Sequence, residues 1–406
     1  MYGDISVHGS KNSALPILAA TLLCSSKSVL HNCPCLSDID AAINILEYLG
    51  CVITREGNDI EIDARAASGY EIPDKLMREM RSSIVFLGAI ASKCGVAKLS
   101  YPGGCELGPR PIDMHLQALG QLGLIIDDRY GCLDCKSEGQ LKGSEINLPF
   151  PSVGATENVM IAASVAMGTT IIHNAAREPE ITDLADFLIA CGAKIYGAGE
   201  SSIRIEGVKK LMGAEFRVIP DRIVAATYMA AAAITGSELT ITDIVPSHIK
   251  PIIPAFMECG CKLNIEKDSL HIKAPEKLNR IKQIRTLAYP GFPTDALAPV
   301  MAMTSVADGT SIFIETIFQN RFKQVDELLR MGAKIKVEGR VAVVEGVPKL
   351  FGAEVEATDL RGGAAMIVAA LSAQGETTIN NIHHIDRGYE SIEKTLSLAG
   401  AKINRV

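Results

Sequence analysis

Six apolar, alanine-rich segments recur along the chain, and they restrict its possible folds more than any other feature. Each has the length of a short helix, and a helix that is apolar on every side must be buried on every side. None approaches the ~18 apolar residues that a membrane-spanning helix needs. The segments are 14–24, 84–91, 159–167, 223–234, 296–303 and 364–373.

Two further markers recur in step with these segments, at intervals of about 70 residues. One is a glycine between an amphipathic helix pattern and a β-rich run, which suits the residue just after a helix. These glycines are Gly50, Gly123, Gly192, Gly260, Gly332 and Gly400. The other is a short strand pattern. It is found at 28–31, 97–100, 169–172, 238–241, 311–314 and 377–380.

The order of these markers predicts an α/β chain built from six copies of one unit. Because the alanine-rich helices must be buried, we expect helices inside and sheets outside. Six units then form two domains of three units each, with a break near residues 219–221. We expect one domain over 11–219 and a second over 1–10 with 220–406, with the active site in the cleft between them.

Composition excludes several classes of function. The 406 residues carry a net charge of −7, which argues against a nucleic-acid partner. Eleven cysteines in a chain of this length indicate reduced thiols in a cytoplasm, and the first residues do not resemble a secretory signal. The pairs Cys33–Cys35 and Cys132–Cys135 each lack a second pair at zinc-binding spacing, so we expect no metal site.

Polar residues precede each buried segment. Some of them suit helix N-caps, namely Ser13, Thr156, Asp221 and Thr294. Capping does not explain the cations found at the same places, which are Lys11, Arg81, Arg222 and Arg361. A cation at a helix start opposes the helix dipole unless an anion is present. The helix starts are therefore expected to bind a multiply anionic ligand.

One further stretch, 101–115, contains three glycines and three prolines, which predict an ordered loop. Cys105 lies on this loop close to Arg110. A thiol in such a setting can have a lowered pKa and be reactive. The alternative is that Cys105 is one more inert, small hydrophobic residue.

The chain resembles the enolpyruvyl transferases, most closely the members that act on UDP-N-acetylglucosamine. The matching stretches are 9–16, 80–84, 102–105, 110–113, 151–156, 174–180, 292–295, 315–322, 357–361 and 384–389. The resemblance implies two inside-out α/β barrel domains with three βαβαββ-type repeats each. It also implies a reaction: phosphoenolpyruvate gives its enolpyruvyl group to the sugar 3-hydroxyl and loses phosphate, which is the committed step of peptidoglycan synthesis. No cofactor is implied.

The resemblance also assigns roles to residues. Cys105 is implied to be the general acid, the carrier of a covalent adduct and the target of fosfomycin. Asp295 is implied to be the base; without the resemblance, the alternative is that Asp295 is a simple N-cap. The resemblance implies that phosphoenolpyruvate contacts Lys11, Arg110, Arg387 and Arg361. The sugar would lie near Asn12 and Arg81, and the uridine would contact Pro111, Ile112 and Asp113. The diphosphate would contact Ser152, Val153 and Gly154, and the sugar nucleotide would also contact Ile317. Glu178 and His115 are implied to lie next to these residues without contacting the substrates themselves.

Three alternatives remain at this point. The sister enzyme 5-enolpyruvylshikimate-3-phosphate synthase shares the fold and the cationic cage, but the loop around Cys105 argues against it. A silent paralogue would bind sugar nucleotide without turnover. A purely structural six-repeat scaffold would have no use for cations at buried helix starts. The oligomeric state stays open.

Overall fold

A computed structural model describes residues 1–102 and 112–406, without the side chain of Arg81. The chain divides into two compact units. The N-unit contains the described residues within 9–219, and the C-unit contains Met1–His8 and Pro220–Val406. Among the described residues, no helix is long and apolar enough to cross a membrane.

The N-unit follows the first strand of the chain, β1 (Tyr2–Ser6), and contains three repeats. The first comprises α1 (Lys11–Thr21), β2 (Ser28–His31), α2 (Ser37–Tyr48), β3 (Val52–Glu56), β4 (Asp59–Asp63) and β5 (Glu71–Ile72). The second comprises α3 (Asp74–Glu79), a 3-10 helix (Arg81–Val85), α4 (Phe86–Cys94), β6 (Val96–Ser100), α5 (Asp113–Gln121), β7 (Leu124–Arg129), β8 (Cys132–Ser137) and β9 (Glu145–Asn147). The third comprises α6 (Val153–Ala163), β10 (Thr169–His173), α7 (Pro179–Ala190), β11 (Lys194–Tyr196), β12 (Ser202–Glu206) and β13 (Glu215–Arg217).

The C-unit repeats this pattern. Its first repeat comprises α8 (Arg222–Ile234), β14 (Glu238–Thr242), α9 (Pro246–Ile249), α10 (Ile253–Glu258), β15 (Lys262–Ile265), β16 (Ser269–Lys273) and β17 (Gln283–Arg285). The second comprises α11 (Thr294–Thr304), β18 (Thr310–Ile314), α12 (Val325–Arg330), β19 (Lys334–Glu338), β20 (Val341–Glu345) and β21 (Glu354–Glu356). The third comprises α13 (Leu360–Ala370), β22 (Thr378–Asn380), a 3-10 helix (Ile382–His384) and α14 (Ile392–Leu398).

Each sheet takes its outer strand from a different repeat, and this exchange ties the repeats together. In the N-unit the strand orders are β5-β6-β8-β7, β9-β10-β12-β11 and β13-β2-β4-β3. The last strand of each repeat pairs in parallel with the first strand of another repeat, and the hairpin completes the sheet in antiparallel fashion. Because β13 pairs with β2, the three sheets form a closed series around the core.

The C-unit uses the beginning of the chain for the same purpose. β1 pairs in parallel with β14, with Tyr2 opposite Glu238, and the sheet order is β1-β14-β16-β15. The next sheet has the order β17-β18-β20-β19, while β21 and β22 form a two-stranded sheet. The strand expected after Gly400 is not formed, so that part of the prediction is wrong.

The six alanine-rich helices form the two cores, as the sequence predicts. Every residue of α8 is buried, and α1, α4, α6, α11 and α13 are buried along most of their length. Around these helices, the strands expose one face and bury the other, as in β20, where Ala342 and Val344 are buried. The six repeat glycines all have positive φ angles, from 90° at Gly332 to 102° at Gly192. Helices inside and sheets outside are therefore confirmed.

The capping predictions are correct for one residue and wrong for three. Asp221 caps α8, because its carboxylate accepts from the backbone N of Ile223 at 2.8 Å and of Val224 at 3.1 Å. Ser13, Thr156 and Thr294 are not caps. Their helices begin earlier than predicted, so these hydroxyls lie within the helices.

Candidate active site

The start of α1 places Lys11 in a buried ion pair. The residue is only 8% exposed, and its Nζ lies 2.9 Å from Oδ2 of Asp38 in the first turn of α2. The carboxylate compensates the cation that opposes the dipole of α1. Lys11 is thus held in one position at a helix start, where backbone N–H groups also attract anions. Asn12, the next residue, is half-buried.

One turn into α1, Ser13 binds a second buried acid. Its Oγ donates to Oδ2 of Asp183 on α7, and the backbone N of Ile219 donates to the same oxygen at 3.3 Å. Burial raises the pKa of Asp183 to about 7, although these two hydrogen bonds act in the opposite direction. Asp183 therefore joins α1, α7 and the end of the N-unit.

The start of α6 is built around small residues and a buried histidine. Ser152 caps the helix, accepting from the backbone N of Ala155 at 3.4 Å. A Cβ on Gly154 would lie 3.0 Å from Cε1 of His115, so only glycine fits there without a shift of the ring. Nδ1 of His115 lies 3.1 Å from Nδ2 of Asn158, and burial lowers the pKa of His115 to about 4. His115 thus packs as a neutral ring beneath the diphosphate contact that the resemblance implies.

A third buried acid follows on α6. Glu157 is 7% exposed, and Glu180 on α7 is 3% exposed. Burial, reinforced by the charges of Glu180 and Glu178, raises the pKa of Glu157 to about 8. This carboxyl group can therefore hold a proton at neutral pH.

In the C-unit, the predicted base Asp295 is paired with cations. Asp295 lies in the first turn of α11. Its Oδ1 is 2.9 Å from Nη2 of Arg321, and its Oδ2 is 3.3 Å from Nη2 of Arg361. The two arginines are almost completely buried, while 29% of the aspartate side chain is exposed. Asp295 is thus a partly exposed carboxylate at a helix start, with two buried guanidinium partners.

Behind this carboxylate lies a buried polar chain. Nη1 of Arg361 donates to Oη of Tyr389 at 3.1 Å, and that oxygen lies 2.8 Å from Oγ1 of Thr227. Asp359 caps α13 by accepting from the backbone N of Arg361 at 2.9 Å. Arg361 is consequently fixed at both its backbone and its guanidinium group.

Glu315 fixes the segments on either side of Asp295. Its side chain accepts from Oγ1 of Thr294 at 2.8 Å and from Oγ1 of Thr286 at 2.9 Å. It also accepts from the backbone N of Ile317 at 2.6 Å and of Phe318 at 3.0 Å. Glu315 is 1% exposed. One buried carboxylate therefore positions both the helix start that carries Asp295 and the loop that carries Ile317.

Several predicted residues cannot be placed with these groups. Cys105, Arg110 and Pro111 lie outside the described residues, and the side chain of Arg81 is not described. Of the remaining predicted residues, Ile112 and Asp113 lie at the start of α5, Val153 begins α6, Glu178 precedes α7, and Arg387 follows the second 3-10 helix and is half-buried.

Sequence reasoning missed the buried partners of the predicted residues. The most important are Asp38, Asp183, Glu157, Glu315, Arg321 and Tyr389. Two signals were available for some of them. Glu315 and Arg321 lie in a stretch that carries the resemblance, and Asp38 stands at the start of an amphipathic helix. Neither signal indicates which groups these residues contact.

Known enolpyruvyl transferases share this architecture. The sequence model of a family described as EPSP synthase (3-phosphoshikimate 1-carboxyvinyltransferase) matches residues 1–396. The enolpyruvyl transferase NikO from Streptomyces tendae has a similar structure, with a TM-score of 0.90 at 25% identity over 99% of this chain and 95% of that one. EPSP synthase from Acinetobacter baumannii, 19% identical over 99% of this chain and 96% of that one, shares the fold with a TM-score of 0.76.

Curated relatives are more similar in sequence. A protein of Caldanaerobacter subterraneus subsp. tengcongensis named UDP-N-acetylglucosamine 1-carboxyvinyltransferase 2 is 53% identical over all of this chain and 97% of its own length. A protein of Finegoldia magna named UDP-N-acetylglucosamine 1-carboxyvinyltransferase is 46% identical over all of this chain and 96% of its own length. The chain therefore belongs to the EPSP synthase family of enolpyruvyl transferases.

Proposed function

We propose that this chain transfers the enolpyruvyl group of phosphoenolpyruvate to the 3-hydroxyl of UDP-N-acetylglucosamine and releases phosphate. The observation that carries the proposal is Asp295, a partly exposed carboxylate at a buried helix start between Arg321 and Arg361. A base for the sugar hydroxyl beside cations for an anionic co-substrate is what this reaction needs. The names of the full-length relatives supply the acceptor.

The proposed chemistry is addition followed by elimination. The sugar 3-hydroxyl attacks C2 of phosphoenolpyruvate and gives its proton to Asp295, while Cys105 protonates the methylene carbon C3. The resulting tetrahedral ketal then loses phosphate, and a proton leaves C3 to restore the double bond. In a separate state of the enzyme, the Cys105 thiol itself adds to phosphoenolpyruvate: its sulfur bonds to C2 and its proton passes to C3, which gives a covalent phospholactoyl adduct. No other cofactor is required.

Binding of the two substrates is assigned to the remaining predicted residues. We assign phosphoenolpyruvate to Lys11, Arg110, Arg361 and Arg387, since ammonium and guanidinium groups suit its carboxylate and phosphate. The contacts with the sugar nucleotide are assigned to Asn12, Arg81, Pro111, Ile112, Asp113, Ser152, Val153, Gly154 and Ile317. The start of α6 adds backbone N–H groups that favour a diphosphate.

This assignment draws on both parts of the chain, with residues 11–219 as one domain and 1–10 with 220–406 as the other. The enzyme would act in the cytoplasm on the committed step of peptidoglycan synthesis, and so in cell-wall growth, cell shape and division. Its partners would be its two substrates, without nucleic acid or membrane. The curated relatives' names do not favour the alternative acceptor, shikimate-3-phosphate.

Phosphate release from phosphoenolpyruvate tests the proposal. The wild-type chain is expected to release phosphate with UDP-N-acetylglucosamine and none with shikimate-3-phosphate, and Cys105→Ala should abolish the release. Release with shikimate-3-phosphate alone would instead identify the sister activity. No release with either acceptor, together with binding of the sugar nucleotide, would identify a silent paralogue.

Fosfomycin tests the assignment of the acid separately. This epoxide should inactivate the enzyme and add its mass to the peptide that contains Cys105, with protection by phosphoenolpyruvate. Full activity after prolonged exposure, with Cys105 intact, would remove that residue from the proposed mechanism.

A further inference from the structure

A cavity of about 500 Å³ lies in the N-unit at the C-terminal ends of its buried helices. Residues that end or follow three of these helices line the cavity: Leu23 after α1, residues 91–95 at the end of α4, and Val165 after α6. Lys209 and Lys210 also line the cavity and are exposed. It is thus accessible from solvent, large enough for a small molecule and bordered by positive charge. The proposed reaction uses the opposite ends of these helices.

Two buried cysteines contact residues that line or adjoin this cavity. Sγ of Cys24 is 3.8 Å from Sγ of Cys191, and the two residues are 2% and 1% exposed. Cys24 is adjacent to Leu23 and forms a parallel bridge with Leu211, both of which line the cavity. The backbone O of Cys191 accepts from the backbone N of Met212 at 2.8 Å. Backbone contacts therefore connect both cysteines to residues that line or adjoin the cavity.

The surroundings of the pair lower the pKa of one thiol and raise the pKa of the other. A hydrogen bond with Cys191 lowers the pKa of Cys24, helped by Ser28 and by the charge of Lys93, although burial opposes the shift. The same pairing and burial raise the pKa of Cys191. Lys93 lines the cavity, and its Nζ donates to the backbone O of Leu22 at 2.8 Å, which holds its charge near the pair. Since the thiolate is the nucleophile in thiol chemistry, Cys24 is the attacking group.

We propose that Cys24 and Cys191 are a modification site that low-molecular-weight disulfides oxidise by way of this cavity. The Cys24 thiolate attacks one sulfur of the small disulfide, forming a mixed disulfide and expelling the first small thiolate. The thiolate of Cys191 then attacks Sγ of Cys24 and expels the second, and the two protein protons pass to the two small thiolates. The small disulfide is reduced to two thiols, and the protein gains one disulfide.

The geometry permits this product with little movement. A disulfide has an S–S distance of about 2.05 Å, so each sulfur needs to shift by about 1 Å from the present contact. The bond would close a loop of 167 residues, which restricts the unfolded chain strongly. It would also join the ends of α1 and α7, two helices that Ser13 and Asp183 already connect near the start of α1.

Peptide mapping of the full-length protein tests the proposal. After incubation with glutathione disulfide and alkylation of the remaining thiols, we expect a cross-linked peptide that contains Cys24 and Cys191 and that dithiothreitol removes. The oxidised protein should unfold several degrees higher than the reduced protein. Cys191→Ala should show neither change, whereas the matched control Cys259→Ala, which removes a buried thiol of the C-unit, should show both. Absence of the cross-linked peptide at full exposure to the oxidant would overturn the proposal.

A charge test examines the route through the cavity. Glutathione disulfide is anionic and hydroxyethyl disulfide is neutral. The double variant Lys209→Gln/Lys210→Gln should slow cross-linking by glutathione disulfide several-fold and leave cross-linking by hydroxyethyl disulfide unchanged. Equal rates of the variant and the wild type with both reagents would exclude the cavity as the route.

Discussion

Acidic residues in the two units have different surroundings. In the C-unit, Asp295 contacts two buried guanidinium groups. In the N-unit, Glu157 and Asp183 are buried near other carboxyl groups, and their pKa values are raised to about 8 and about 7. A nearby cation favours the charged form of an acid, whereas burial, here beside like charges, favours the protonated form. We therefore place the proposed base in the C-unit and expect pH-dependent stability from the buried acids of the N-unit.

The largest effect is expected from the paired acid. Asp295→Asn removes the base but keeps oxygen and nitrogen near both arginines, so activity should fall by about 10² to 10⁴-fold. The measurement is phosphate release at saturating substrates. Asp308→Asn is the matched control, because Asp308 forms an exposed pair with Lys277 in the same unit and should retain activity. A variant of Asp295 with near-normal turnover would place the base elsewhere.

The free energy of unfolding should depend on pH through a buried acid of the N-unit. The folded protein keeps the proton of Glu157 above the pH at which the unfolded chain loses it, so wild-type stability falls as pH rises from about 4.5 to about 8. Glu157→Gln has no such proton, and its stability relative to wild type should rise across this window, by at most about 5 kcal/mol. Urea unfolding at several pH values measures the difference.

The control for this prediction is Glu206→Gln, which alters a partly exposed glutamate paired with Arg204 in the same unit. Its stability relative to wild type should change little with pH. A constant difference between Glu157→Gln and wild type from pH 4 to pH 8 would show that Glu157 ionises normally in the folded state.

Glu315 tests whether the C-unit depends on one positioning acid. The Glu315 carboxylate accepts four hydrogen bonds, whereas the amide of Glu315→Gln has one oxygen that accepts and one nitrogen that only donates. We therefore expect the unfolding free energy to fall by about 2–3 kcal/mol. Activity should fall as well, since Thr294 and Ile317 lose a common partner. Glu345→Gln, at an exposed pair with Lys334, is the control. Wild-type stability in Glu315→Gln would remove the positioning role.

The smallest effects concern the helix caps of the two units. Asp221→Ala removes two hydrogen bonds of 2.8 and 3.1 Å at α8 and should cost about 1–2 kcal/mol. Ser152→Ala removes one bond of 3.4 Å at α6 and should cost about 0.5 kcal/mol. Thermal unfolding compares them, and an equal loss in both variants would contradict the ranking by bond geometry.

The repeat architecture could be predicted from the sequence because it follows from local pattern. Apolar segments of helical length have to be buried, and the repeat glycines adopt the positive φ that follows a helix. The strand expected after Gly400 is the exception. A local pattern cannot reveal whether a neighbouring strand is present to pair with it.

The candidate site was only partly predictable. Lys11, Asp295 and Arg361 stand out because charged residues begin apolar helices. Their partners come from distant parts of the chain, as when Asp295 meets Arg321 and Arg361. The exact residues at which the helices begin could not be predicted either. Ser13 was expected to cap α1, but it lies within that helix and binds Asp183. Pairing and burial depend on tertiary structure, which spacing alone does not specify.

A competition experiment measures the central claim most directly. The wild-type enzyme is given phosphoenolpyruvate with equal concentrations of UDP-N-acetylglucosamine and shikimate-3-phosphate, and the products are followed by mass spectrometry. We predict that only enolpyruvyl-UDP-N-acetylglucosamine accumulates, in step with released phosphate. Accumulation of enolpyruvylshikimate-3-phosphate, or consumption of phosphoenolpyruvate without either product, would contradict the proposed function.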